Sequence, residues 1–334
     1  MTRMLKKAVF VILLCGLTVC PPAARPAGAG EPVGYRLKWL INISTVGDVY
    51  ALEKGYFAAE GLDVALKPGG PERDAIRELE LGHADFGVAS ADQVIRALEK
   101  KAPLVVLAQL FQSNPLNWIY RPGRLTIENL SDLKGRSLGV TFGKNDEIIM
   151  RTLLSQAGIG DDQVRLYSVR LDYTPFYQGK VDLWPVYINS QGVEIAARMR
   201  RAGETIAFFD PERFGVRFVA NSVVTSERLW RQKPQLVQGF MRALLRGWRE
   251  AVDPSNAGEA IAMVQRHDPD TTPENMQAQL EATRPLITGE GAVGRIDREA
   301  WAQTERIMLD HGQIAAPVNV LDALRPVAEQ NRAN

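Results

Sequence analysis

The chain is almost without cysteine. Two of its 334 residues are Cys, at positions 15 and 20, so beyond Cys20 no disulfide and no thiolate metal site can form. Histidine is nearly as scarce: His83, His267 and His311 stand far apart, with no His-x-x-x-His or Cys-x-x-Cys spacing to suggest a metal centre. Each falls near a predicted helix end, where capping or a dipole contact explains it better than base catalysis. Gly-x-Ser-x-Gly is missing, and so is the Walker pattern, which leaves no sign of a serine hydrolase or a nucleotide-hydrolysing site. Neither sign of charge dominates, with 40 basic and 39 acidic residues, a balance unlike that of a nucleic-acid binder. No apolar run after the first twenty residues is long enough to cross a bilayer.

Those first residues have the layout of a secretory signal. Arg3, Lys6 and Lys7 precede the apolar run Ala8 to Val19, and Ala27-Gly28-Ala29 offers a small-x-small cleavage pattern. Residues 1–29 are therefore expected to be a signal peptide. Removing them takes away four basic residues and leaves 36 against 39 acidic ones. Leu17-Thr18-Val19-Cys20 has lipobox spacing, a competing reading in which Cys20 carries a lipid. Val19 before that cysteine and Pro21-Pro22 after it favour soluble export to the periplasm. A remaining chain of about 300 residues can bury a core without disulfide staples.

The most informative stretch is Val46 to Ser90. Ser44 or Thr45 can cap a helix that ends at about Lys54, where Gly55 supplies a left-handed exit. Leu62, Val64 and Leu66 alternate as in a strand with one buried face. Gly69-Gly70 breaks it, and Pro71 suits the first turn of a helix that Gly82 closes. Ala84, Phe86 and Val88 then alternate again. This αβαβ order predicts a parallel sheet covered by helices.

GDVYALEKGYFAAEGLDV, the Gly-Gly step and LGHADFGVAS followed by ADQVIRAL resemble the opening lobe of periplasmic solute-binding proteins. The resemblance runs from about Tyr35 to Leu229, and is greatest to the branch of thiamine pyrimidine-precursor, alkanesulfonate, taurine and nitrate binders. It implies an α/β two-lobe periplasmic-binding-protein fold of type II, with a ligand cleft between lobes and a C-terminal helical region. Lobe 1 is expected over 35–120 and 218–334, and lobe 2 over 121–217. Expected partners are a small-molecule ligand and the permease of an ABC transporter, with no cofactor, metal or nucleic acid, and a monomeric state.

Candidate site residues gather where strands give way to helices, the edge at which open α/β sheets bind ligands. Asn42 and Ser44 follow the first predicted strand, Tyr35 to Ile41, with turn and capping chemistry as the plainer account. Ser90 and Gln93 follow the strand through Phe86; in the resembling proteins this loop faces the ligand. Gly143 and Asn145 sit at a helix start in the second lobe. Gly179-Lys180-Val181-Asp182 echoes Gly82-His83-Ala84-Asp85, as though each lobe used one helix-to-strand turn. The strand after it carries Trp184, Tyr187 and Asn189, and with Tyr173 these could wall a flat ligand, core packing being the alternative. Glu194 has a sufficient reason in helix-dipole complementarity, and the resemblance adds that an acid here contacts the ligand in pyrimidine-binding relatives.

The function expected is capture of a thiamine pyrimidine precursor or similar flat heterocycle for an ABC importer, by a protein that is not an enzyme. Alternatives are a sulfonate, taurine or nitrate binder, a ligand sensor for a signalling partner, and a pyrimidine-synthase-like enzyme. Eukaryotic synthases of this fold depend on a cysteine- and histidine-rich iron-binding stretch, which this chain lacks.

Overall fold

The structure, a computed structural model, describes residues 30–70, 73–170, 172–289 and 291–327. The expected signal segment and Pro71 lie outside them. The strands are β1 (Glu31–Arg36), β2 (Leu62–Lys67), β3 (Phe86–Ala89), β4 (Leu104–Gln109), β5 (Leu116–Tyr120), β6 (Ser137–Val140), β7 (Arg165–Ser168), β8 (Trp184–Tyr187), β9 (Ala207–Phe209) and β10 (Ser222–Ser226). One sheet has the order β2-β1-β3-β10-β4, a second β8-β5-β9, and a third β6-β7.

In the five-stranded sheet β2, β1 and β3 are parallel, as the αβαβ order requires. β10 enters antiparallel between β3 and β4. β4 is buried at every residue, matching its unbroken apolar text. β5 pairs with β8 and β9 rather than with the five-stranded sheet.

The first strand differs from expectation. It begins at Glu31 and ends at Arg36 instead of spanning Tyr35 to Ile41. Leu37 still donates to the Lys67 carbonyl, after which the Trp39 carbonyl accepts from Gly69 N–H and the chain turns. The apolar pattern past Leu37 misled because Trp39 and Leu40 stay exposed, at 40% and 55%. A short helix, Tyr56–Ala59, also lies between the first long helix and β2. The helix before β3 starts at Ala75, capped by Asp74.

The repeated Gly-x-small-Asp turn is real. Gly82 and Gly179 both have φ of 71°, the left-handed region that glycine enters without strain. Asp85 Oδ2 then accepts from Gly34 N–H of β1 at 2.8 Å, and Asp182 Oδ2 from Ser137 N–H of β6 at 2.8 Å. In each half an aspartate after the turn fastens the first strand of a sheet.

The helix Pro234–Ala251 packs across the five-stranded sheet. Its Phe240 stacks on Phe86 with ring centres 3.7 Å apart and meets Tyr35 edge-on at 5.0 Å. It crosses the helix Val46–Glu53 so closely that a Cβ on Gly47 would lie 2.1 Å from the Trp248 ring, and one on Gly247 2.4 Å from Ala51 Cβ. Buried beside this crossing, Asp48 Oδ1 accepts from the Tyr35 hydroxyl at 2.5 Å. Burial pushes the Asp48 carboxyl up to about 7, against the pull of Tyr35 and the facing Trp248 indole, whose N–H makes no hydrogen bond of ordinary geometry.

Candidate functional site

Where β1 ends, the chain turns at the carboxyl edge of its sheet and enters the short 3-10 helix Ile43–Thr45. Asn42 caps that helix, its Oδ1 accepting from Ser44 N–H at 2.8 Å. The capping explanation thus accounts for the Asn42 side-chain oxygen. Ser44 keeps its hydroxyl free of the cap and accepts from Asn189 Nδ2 at 3.2 Å. Asn189 follows β8 and is fully buried. Its Nδ2 also donates to Thr283 Oγ1 at 3.0 Å. Three stretches far apart in sequence therefore meet at one amide.

The junction extends from there. Thr283 donates its hydroxyl to the Gln279 main-chain carbonyl at 2.8 Å, and Gln279 Nε2 donates to Glu194 Oε1 at 3.3 Å. Surrounding protein and the charge of Asp268 raise the Glu194 pKa, opposed by the Gln279 bond. The Tyr173 hydroxyl is pushed up to about 12, by burial first and then by Glu194 and Tyr177. Lys38 Nζ donates to Tyr187 Oη at 3.4 Å, a second link between the end of β1 and the end of β8. Ser44, Tyr187, Asn189, Glu194 and Tyr173 thus belong to one neighbourhood.

Other expected site residues are placed differently. Trp184 is 1% exposed and packs among Ile119, Phe176 and Val186, with Tyr173 5.9 Å away between ring centres. In this arrangement its ring is core. Ser90 is buried and bonds Asp92 and Gln93, while Gln93 reaches Asp74 at 3.2 Å. Gly143 is exposed, and its N–H is taken by Glu147 Oε2 at 2.7 Å; Asn145 is half-buried as the first residue of the helix Asn145–Gln156. No hydrogen bond joins Ser90, Gln93, Gly143 or Asn145 to the junction among the described residues.

Sequence reasoning missed Lys38, Gln279 and Thr283. Lys38 was hidden by the strand reading of Tyr35 to Ile41. The other two carry a legible signal: on the helix Pro273–Thr288, Gln279 and Thr283 sit at i and i+4 on the same buried face as Met276, Leu280 and Ile287. Polar side chains at core positions demand partners. Beside the junction lies a groove of about 610 Å³, lined by Ile188, Val193, Ala196, Phe208, Ala278 and Ala282 among others, and by none of the residues expected from sequence. Among the described residues no three His, Cys, Asp or Glu side chains are placed to hold a metal ion, and no helix is long and apolar enough to cross a membrane.

Comparison with known proteins agrees with this architecture. The chain is 25% identical to the riboflavin-binding protein RibY of Chloroflexus aurantiacus over 352 residues, covering 96% of each chain. It is also 25% identical to the formylaminopyrimidine-binding protein of Halalkalibacterium halodurans, covering 90% of this chain and 91% of that one. The periplasmic aliphatic sulphonate binding protein SsuA of Escherichia coli superposes with a TM-score of 0.70 over 89% of this chain and 92% of its own, at 16% identity. At that identity the likeness is one of fold, and the fold is the α/β periplasmic-binding-protein fold expected from sequence. The model of the family described as NMT1/THI5 like matches residues 42–257, a span holding most of the strands together with Asn189 and its partner Ser44, and the chain is a member of that family.

Proposed function

We propose that the protein captures a small flat heterocycle, of the thiamine pyrimidine-precursor kind, between two lobes. It delivers this ligand to an ABC importer in the inner membrane and performs no chemistry on it. The convergence of Ser44, Asn189 and Thr283 at the carboxyl edge of the five-stranded sheet carries the reading, because side chains from separate stretches can close on a ligand there as the lobes hinge together. The relatives named for riboflavin and formylaminopyrimidine support a heterocycle.

Lobe 1 in this reading holds β1 to β4, β10 and the C-terminal helices, and lobe 2 holds β5 to β9. The pairing of β5 with β8 and β9 favours a first crossing between β4 and β5 instead of after residue 120. The second falls between β9 and β10, in keeping with the expected return near 218.

The test is a thermal-shift and titration panel of hydroxymethylpyrimidine, aminopyrimidine relatives, thiamine, riboflavin, taurine, an alkanesulfonate and nitrate. A ligand at a hundred times its Kd stabilises the protein by about 2.7 kcal/mol. A response to pyrimidines or riboflavin is expected. A response confined to sulfonates, taurine or nitrate overturns the heterocycle.

A further inference from the structure

Asn189 and Gln279 are 0% and 3% exposed. On each, the amide nitrogen is engaged while the amide oxygen has no donor. In this structure Thr283 gives its hydroxyl proton to the Gln279 main-chain carbonyl and accepts from Asn189 Nδ2. Glu194 as a carboxylate can only accept, so Gln279 must present Nε2 to it. Two buried carbonyl oxygens are left over. Both are tied to one helical turn, since Asn189 is bonded to Thr283 and Gln279 stands four residues before it.

The backbone N–H groups at the expected strand-to-helix edges are already committed. Gly143 N–H is held by Glu147, Thr141 N–H by Asp146, Ser90 N–H by Gln93 and Ser44 N–H by Asn42. Acid is present at the junction in Glu194, with Asp268 near it, and Lys38 is bonded to the Tyr187 hydroxyl.

Resting on the ligand-capture reading above, we infer that the ligand presents an edge of N–H or amino donors to Asn189 Oδ1 and Gln279 Oε1, and that donor-free oxyanions are rejected. When the lobes part, these two oxygens come within reach of a ligand. A donor-bearing ring satisfies them on closure, and a sulfonate or nitrate leaves them bare. Gln279 thus sets specificity from a helix that lies outside the stretch matched by the family.

The experiment is calorimetric titration with 4-amino-5-hydroxymethyl-2-methylpyrimidine and with the same ring carrying hydrogen in place of the amine, alongside methanesulfonate. Wild-type protein is expected to prefer the amino compound by about tenfold or more, the factor one hydrogen bond supplies, and to ignore methanesulfonate. Gln279→Met, which has no amide oxygen, should bind both rings with nearly equal affinity. Circular dichroism and melting temperature establish that the variant is folded, and the wild-type comparison stands without it if Gln279→Met does not fold. Equal binding of the two rings by wild type, or an undiminished preference in Gln279→Met, overturns this inference while leaving heterocycle capture intact. Failure of every heterocycle to bind overturns the capture reading itself.

Discussion

Replacing Asp48 by Asn should make the protein less sensitive to pH. Asp48 is 1% exposed, faces the Tyr35 hydroxyl from β1 and the Trp248 indole from the long helix, and has its pKa raised from 3.8 to about 7. In the unfolded chain the carboxyl returns to about 3.9. Between these values the native state holds a proton that the unfolded state has released. Its contribution to stability is therefore present at low pH, lost as pH rises from about 4 to about 7, and level above that. A gap of about three pH units, at about 1.36 kcal/mol each, amounts to about 4 kcal/mol. Asn keeps an oxygen for the Tyr35 hydroxyl and never ionises. Asp146, whose pKa burial raises to about 6, adds a pH dependence of the same sign but does so in both proteins and cancels in their difference. Urea unfolding followed by tryptophan fluorescence at pH 4, 6 and 8 gives the stability of each. The variant should gain on wild type by about 4 kcal/mol across that range. A difference that stays constant from pH 4 to pH 8 refutes the reasoning, since it would mean that Asp48 titrates alike in the folded and unfolded chain.

Other perturbations test the packing and the junction. Trp184→Ala should cost about 3–5 kcal/mol in urea unfolding, as large aromatic deletions from a core do; unchanged stability would favour the ligand-wall role expected from sequence. Gly47→Ala drives a methyl to 2.1 Å from the Trp248 ring and should destabilise by about 1–3 kcal/mol, visible as a lower melting temperature, whereas an unaltered one would deny the close crossing. Asn189→Ala removes both bonds to Ser44 and Thr283, each worth about 0.5–1.5 kcal/mol. Small-angle scattering without ligand should then report a larger radius of gyration, and an unchanged radius would show that these bonds do not hold the halves together.

Much of the fold could be read from local text. The turn shared by Gly82 to Asp85 and Gly179 to Asp182 was visible because its chemistry is local: a glycine to take a positive φ, then an acid within reach of a strand end. Even so, the text could not say that each acid would grip the first strand of its own half, Gly34 and Ser137. Strand order was out of reach as well. The text of β10, SVVTS, looks the same whether it lies at an edge or, as it does, between β3 and β4. The end of β1 was misplaced because Trp39 and Leu40 continue the apolar alternation into a segment that leaves the sheet.

The candidate site was legible in part for a related reason. Ser44, Tyr187 and Asn189 stand at strand-to-helix boundaries, which sequence marks. Trp184 stands in the same text, yet alternation alone does not say which side of a four-residue strand is core. Gln279 and Thr283 lie mid-helix, where nothing but their discord with the buried face announces them.

The helix Pro273–Thr288 also bears on how such a protein can diverge. It lies beyond residue 257, where the family match stops, and it reaches the junction through a few side chains on one face. On the inference drawn above, the scaffold and the reader of the ligand lie in separate parts of the chain, although relatives align across both. Substitutions at positions 279 and 283 could retune selectivity while the sheets, their fastening aspartates and the crossing at Gly47 remain under their own constraints. On that inference, two members alike over the matched stretch could take different ligands, and grouping them by ligand calls for comparing their tails as well.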